Sequence, residues 1–233
     1  MPHQNLIRRL LAVSRLSEAE QKALAGLPYA VRNLADGDIA VHQGERPSGC
    51  TVLMSGFLSR QRVISERNQI SAFYVPGDIP NLHCLHVPMM DHDLCSTGPS
   101  IIATVGHVAL RQVLRDFPGL TYALWGESVI QAAIYREWVE NLGARAALPR
   151  VAHLLCELST RLQRVGLAEN GKMNLPFTQA DLADACGLST VHINCTIQEL
   201  RRRRLIDWQG QTLELLQRAE LEFIAEFNQE YLR

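Results

Sequence analysis

The spacing of apolar residues changes texture three times along the chain. At the start, Leu6, Ile7, Leu10 and Leu11 recur at helical intervals. Ser17-Glu18-Ala19-Glu20 then reads as a capping box, with Ser17 as N-cap and Glu20 at N3, and predicts a second short helix. From about residue 29 to residue 108 the pattern shortens to β-prone runs. They are punctuated by Asp36-Gly37-Asp38, Gln43-Gly44-Glu45, Pro47-Ser48-Gly49, Ser55-Gly56, Pro76-Gly77-Asp78 and Gly98-Pro99. Short strands at that spacing predict a small antiparallel barrel or sandwich. After Phe117-Pro118-Gly119, residues 120 to 142 carry no proline, and Leu120, Leu124, Ile130, Ile134 and Trp138 mark an apolar side. This predicts one long helix whose partner is a two-fold copy of itself, with those five residues as the dimer interface. Gly143 is expected to break that helix at a hinge, with Pro149 just beyond. Val151, Leu154, Leu155, Leu158 and Leu162 then predict a core-facing helix that stops at Arg164 and Gly166.

The segment most informative about function is Phe177-Thr178-Gln179-Ala180-Asp181-Leu182-Ala183-Asp184-Ala185-Cys186-Gly187-Leu188-Ser189-Thr190-Val191-His192-Ile193-Asn194-Cys195-Thr196-Ile197-Gln198-Glu199-Leu200. It reads as two capped helices about a tight turn. Thr178 caps the first with Asp181 at N3, Gly187 supplies a left-handed residue, and Ser189 caps the second. Leu182, Ala183, Leu188, Ile193, Ile197 and Leu200 form a consistent buried set. Thr190, Val191, His192, Asn194, Cys195 and Gln198 remain outward on the second helix, as a major-groove reader requires. Thr178, Gln179, Ser189 and Arg201 join them as candidates for phosphate or base-edge contact. The run Arg201-Arg202-Arg203-Arg204 follows, then two short strands around Gln209-Gly210 that read as a wing. Taken alone, the two-helix pattern also suits a plain three-helix core, and the arginine run also suits a solvated helix end.

Charge and cysteine content narrow the classes. A formal net charge of -1 over 233 residues provides no global basic field, so any nucleic-acid surface must be local. The six cysteines are dispersed and form no CxxC pair, which suits reduced thiols in a cytoplasmic protein. Arg8, Arg9 and Arg15 interrupt the amino-terminal apolar residues, and no run reaches the roughly 18 residues of a membrane span, so no membrane partner is expected. No nucleophile-base-orienter set or metalloprotease helix stands out, and an enzyme is not expected.

With the helix-turn-helix and wing on one side, and Ile39-Ala40-Val41-His42-Gln43-Gly44-Glu45 followed by Val52-Leu53-Met54-Ser55-Gly56-Phe57 on the other, the chain resembles the CRP/FNR family over almost its whole length. The resemblance implies an α+β chain with three parts. They are amino-terminal helices with an antiparallel β-roll, a jelly roll like those that bind cyclic nucleotides, over 1–115, a dimerisation helix over 116–143, and a winged helix-turn-helix over 144–233. It implies a homodimeric transcription regulator that binds a two-fold operator in double-stranded DNA, with RNA polymerase as a further partner. A second reading, suggested by the weakly polar Val191 and Cys195, is a ligand-binding or redox-sensing module whose helix-turn-helix meets protein.

Against the family pattern, several positions depart. The base-reading Arg, Glu and Arg of the cyclic-AMP receptor fall on Thr190, Val191 and Cys195, so a different operator is expected. Cys195 reads either as a small neutral filler or as an oxidisable thiol. Pro76-Gly77-Asp78-Ile79 resembles the start of the phosphate-binding turn, yet the family's Arg-Ser pair falls within Asp93-Leu94-Cys95-Ser96, without the arginine. No cyclic-AMP response is expected. No cysteine precedes Cys50, so no iron-sulfur cluster is expected. His83 falls where the family's haem-based carbon monoxide sensor has a haem histidine, and Pro2 matches its proline ligand, while the sensor's cysteine falls on Asn81. Pro2, His83, Cys84 and His86 are therefore the candidate effector or haem ligands, and no other metal site is expected.

Overall fold

Two amphipathic helices open the computed structural model, which describes residues 3–233 and so leaves the expectation for Pro2 outside the described residues. Helix α1 (Gln4–Val13) buries Leu6 and Leu10. Helix α2 (Glu18–Ala25) starts at the expected capping box: Ser17 Oγ accepts from the Glu20 N–H, and the Glu20 carboxylate accepts from the Ser17 N–H at 2.8 Å. The strands follow as β1 (Tyr29–Leu34), β2 (Ile39–Val41), β3 (Gly49–Ile64), β4 (Arg67–Tyr74) and β5 (Asp93–Gly106). They form one sheet in the order β1-β5-β3-β4, with β2 also on β5. β5 pairs antiparallel with β1, β2 and β3.

Two of the expected turns are not chain reversals. Ser55-Gly56 and Gly98-Pro99 both lie inside long strands, and the β3–β5 register shifts on either side of Ser55. Gly56 has φ +79°, and a Cβ there would stand 2.4 Å from the Pro99 carbonyl oxygen, so the glycine permits a bulge that bends the sheet. The β3–β4 reversal is made instead by Ser65 and Glu66, both at positive φ.

The chain divides into two units, 1–61 with 73–132 and Arg233, and 62–72 with 133–232. In the first, Leu6, Leu10, Leu24 and Leu27 pack on Cys50, Val52, Ala103 and Val105 of the sheet and on Leu110, Leu120, Ala123 and Leu124. Leu110 belongs to α3 (His107–Asp116), a separate helix at the end of the span expected for the roll. Helix α4 (Pro118–Ala144) spans 27 residues and ends one residue past Gly143, close to the break expected there.

The expected dimer face needs correction. Leu120, Leu124, Ile130, Ile134 and Trp138 are all buried within the chain itself. Tyr122, Trp125 and Val129 face solvent instead, at 70%, 64% and 51% exposure. Helix α4 is apolar on two sides, and the protein's own core claims the first.

In the second unit, α5 (Ala147–Arg164) is buried on every side from Val151 to Leu162, beyond the single core-facing stripe expected. Pro149 lies in its first turn, where no backbone N–H is needed. The elements β6 (Ala168–Glu169), β7 (Lys172–Asn174), α6 (Gln179–Cys186), α7 (Thr190–Arg202), β8 (Ile206–Gln209), β9 (Thr212–Leu215) and α8 (Arg218–Ile224) follow. The wing is half of a four-stranded sheet ordered β6-β7-β9-β8. Full burial of Glu157 on α5 is tolerated because its carboxylate is answered three times. Trp138 Nε1 and the Tyr231 hydroxyl each donate to it at 3.0 Å, and Arg161 lies at 2.9 Å.

Candidate nucleic-acid interface

Local capping fixes both helices of the helix-turn-helix. Thr178 Oγ1 accepts from the Asp181 N–H at 3.1 Å, and Asp181 Oδ2 accepts from the Thr178 N–H at 2.7 Å. Gly187 ends α6 in the left-handed region, with φ +61°, and Ser189 Oγ accepts from the His192 N–H at 3.2 Å to begin α7. Ile193, Thr196, Ile197 and Leu200 form the inner side of α7. Thr196 is an unexpected member of that set, and its hydroxyl is satisfied by donating to the His192 carbonyl at 2.8 Å.

The outer side is open. Thr190, Val191, His192, Asn194, Cys195 and Gln198 are all exposed, as are Thr178, Gln179 and Ser189. Helices α6 and α7 also meet through one polar contact on this surface, in which Asn194 Nδ2 donates to Gln179 Oε1 at 3.4 Å. Cys195 is the exposed cysteine, while the other five are buried. Burial pushes the thiols of Cys50, Cys156 and Cys186 up to about 12 and that of Cys95 up to about 11, so these sulfurs stay protonated and unreactive.

The arginine run is largely engaged. Arg201 is turned to the wing, donating to the Trp208 carbonyl. Arg202 and Arg203 share the Glu199 carboxylate, at 2.7 Å each, and those bonds hold the Glu199 carboxyl down at about 2. Three supporting contacts lie beyond sequence reasoning because their partners are distant in the chain. Arg150 on α5 donates to the Cys186 carbonyl at 2.8 Å, closing the end of α6. At the end of the β3–β4 hairpin, Asn68 Nδ2 donates to Asp184 Oδ2 and Gln69 Nε2 to the Asp184 carbonyl, both at 2.8 Å.

The candidate effector residues are placed differently. His83 and Cys84 sit in a short 3-10 turn, Leu82–Leu85, while His86, just past it, is exposed. The thiol of Cys84 donates to Met90 Sδ at 3.4 Å. His83 lies 5.9 Å from the ring of His92, a buried residue that the sequence pattern does not single out. His92 bonds Asp91 at 2.5 Å, and burial pushes its imidazole down to about 4. Among the described residues, no three His, Cys, Asp or Glu side chains are grouped to hold a metal ion.

At the Pro76-Gly77-Asp78 turn the chain supplies partners for most of its own polar groups, while Glu127 Oε1 is buried without a hydrogen-bond partner among the described residues. Gly77 has φ +100°, and a Cβ there would stand 2.7 Å from the Asn5 carbonyl oxygen, so α1 is seated directly on the Pro76-Gly77-Asp78 turn. Arg9 of α1 pairs with Asp78 at 2.9 Å and with Glu127 of α4 at 2.6 Å, all three buried. Asn81 Oδ1 accepts from the Thr51 N–H at 2.6 Å, a structural bond that explains a buried asparagine at that position. Arg60 is held by Asp91 at 2.6 Å, and Asp93 accepts from the Gln43 N–H at 2.7 Å. The cavity lined by Leu6, Leu24, Cys50, Val52, Val105 and Leu124 among others holds only about 10 Å³, room for little more than a water molecule.

Residues 149–224 match the family of Crp-like helix-turn-helix domains. The transcriptional activator protein FnrL of Cereibacter sphaeroides is 21% identical over 208 residues, 88% of this chain and 83% of that protein. A probable transcriptional activator of Rhizobium leguminosarum bv. viciae is 23% identical over 172 residues, 73% of this chain and 70% of that protein. Among solved structures, FixK2 from Bradyrhizobium japonicum superposes with a TM-score of 0.77 at 21% identity, over 85% of this chain and 98% of that one. A transcriptional regulator of the CRP family from Thermus thermophilus gives 0.62 at 18% identity, over 86% and 99%.

Proposed function

We propose that the chain is a CRP/FNR-type transcription regulator that binds two-fold operators in duplex DNA as a homodimer, a reading supported by the match of residues 149–224 to Crp-like helix-turn-helix domains and by a fold shared with regulators of that type. The observation that carries the proposal is the open outer side of α7, capped at Ser189 and lined by Thr190, Val191, Asn194 and Gln198. Polar and methyl groups near the start of an uncovered helix suit a major groove. Dimerisation uses Tyr122, Trp125 and Val129, large apolar side chains at three- and four-residue steps that a parallel copy of α4 would cover. The two recognition helices then enter successive grooves about 34 Å apart.

The first unit responds to no cyclic nucleotide. Arg9 already pairs with both Asp78 and Glu127, and no guanidinium stands at 93–96 to replace the family's phosphate ligand. Haem is not part of the proposal either, because His83 and Cys84 are turned to internal neighbours and His86 lies apart on the surface. RNA polymerase enters as the partner through which a bound regulator acts. The test is selection of duplexes from a random pool. A two-fold consensus with steep salt dependence is expected, whereas recovery of no consensus would favour the reading of this surface as a protein-interaction module. Calorimetry with cyclic AMP is expected to give no heat of binding, and micromolar affinity would overturn the account of the first unit.

A further inference from the structure

Residues 190–200 of α7 carry no guanidinium. The arginines that follow in the chain have partners, Arg201 at the Trp208 carbonyl and the exposed Arg202 and Arg203 at Glu199. The commonest reader of guanine is therefore missing from the amino-terminal turns of α7. Its base-reading chemistry rests on carboxamides, a hydroxyl, an imidazole and the apolar groups of Val191 and Cys195.

One carboxamide is braced. Asn194 Nδ2 donates to Gln179 Oε1 at 3.4 Å, joining the recognition helix to the first residue of α6. The bond uses one of the two hydrogens on Asn194 Nδ2 and leaves Oδ1 and the second hydrogen free on an exposed side chain. An acceptor and a donor side by side complement the N6 amino group and N7 of adenine. Holding the amide in advance also reduces the rotamer freedom lost on binding. Gln179 keeps both hydrogens of its own amide at the amino-terminal end of α6, where backbone N–H groups and the helix dipole favour a phosphate. One turn before Asn194, Val191 is 72% exposed, and its methyls complement the methyl group of thymine.

We propose that Asn194, braced by Gln179, reads adenine and that Val191 contacts a thymine methyl, so that each operator half-site is built on A·T pairs. The assignment rests on the DNA-binding reading above. It makes Asn194 a base-contacting residue and Gln179 a positioning residue.

The experiment uses the full-length protein and the duplex recovered from the random pool, with each half-site base pair changed in turn to G·C and each adenine in turn to 7-deazaadenine, which lacks the N7 acceptor. Wild type is expected to lose about ten- to a hundredfold in affinity at one adenine per half-site. Asn194→Ala loses a similar factor on the parent duplex and becomes indifferent to 7-deazaadenine at that position. Gln179→Ala narrows the same discrimination by a smaller factor, and Gln112→Ala, on α3 and outside the helix-turn-helix, leaves it intact. All three side chains are exposed, and unchanged thermal midpoints confirm that the variants fold. A two-fold consensus that places G·C at the positions read by α7, or an adenine preference that survives Asn194→Ala, overturns the assignment while leaving DNA binding in place. No consensus for wild type removes the DNA-binding reading itself and this assignment with it.

Discussion

The turn at Gly77 and the outer side of α7 handle their polar groups in opposite ways. At the turn, Asp78 and Glu127 are met by Arg9, and the Asn81 amide is met by the backbone at Thr51. On α7, Thr190, Asn194 and Gln198 reach solvent with hydrogen-bonding capacity to spare. Buried polar groups must be satisfied at home, because an unmet one costs on the order of 1–3 kcal/mol. Exposed ones can wait for a partner at no such cost. The contrast supports the proposed assignment: the outer side of α7 is left open, while the turn at Gly77 is covered by the chain's own first helix.

The sharpest way to break that contrast is to disturb the α4 surface proposed to bring two recognition helices together. Trp125→Glu is expected to give a monomer by sedimentation and to lower affinity for a two-fold operator by about 10² to 10⁴, the range lost when paired binding becomes single. A dimer of unchanged affinity would return the interface to some other surface. Next in size is Arg9→Met, which leaves two buried carboxylates without their cation. Breaking such a cluster costs about 3–5 kcal/mol, to be read from urea unfolding. A loss under about 1 kcal/mol, the scale of an exposed pair, would mean that the ion cluster does not close the turn.

Each unit also contains a buried histidine, which sharpens the comparison through pH. Burial holds His92 and His153 down at about 4, and His153 is further surrounded by Glu157, Glu137 and Arg145. Between about pH 6.5 and 4 the unfolded chain takes up protons at these imidazoles and the folded chain does not, so stability falls as pH falls through that window. The thermal midpoint is expected to drop by several degrees from about pH 7 to about pH 4.5. His92→Asn and His153→Gln should each flatten part of that drop, and parallel profiles for variants and wild type would show that other groups govern it. Smallest is Ser189→Ala, which removes the α7 cap and is expected to cost about 1 kcal/mol in thermal unfolding.

What is legible in the sequence is local. The capping boxes at Ser17 and Thr178, the left-handed Gly187 and the inner set Leu182, Ile193, Ile197 and Leu200 each depend on neighbours within a turn or two, and each appears in place. The open surface of α7 follows from the same periodicity. The exposed apolar side of α4 does not, because Leu120 and Trp125 lie on two apolar sides of one helix and spacing alone does not say which side the core takes. Ser55-Gly56 misleads for a related reason, since a positive-φ glycine serves a bulge as well as a reversal. The Arg9 bridge to Glu127 joins residues 118 apart, and the Asn68 bond to Asp184 joins residues 116 apart. No local pattern signals contacts of that kind. In sequence the arginine run looks free for phosphate, yet Glu199 and the Trp208 carbonyl hold three of its members.

Central to the proposal is a recognition surface on α7 that binds operator DNA without a cyclic nucleotide. The most direct measurement is fluorescence anisotropy of the purified, ligand-free protein against its selected two-fold duplex and a scrambled one, across a salt series. The expected result is at least about 10³-fold preference for the selected duplex, with log affinity falling steeply with log salt. Equal binding of the two duplexes, or a preference that emerges only after a cyclic nucleotide is added, would contradict it.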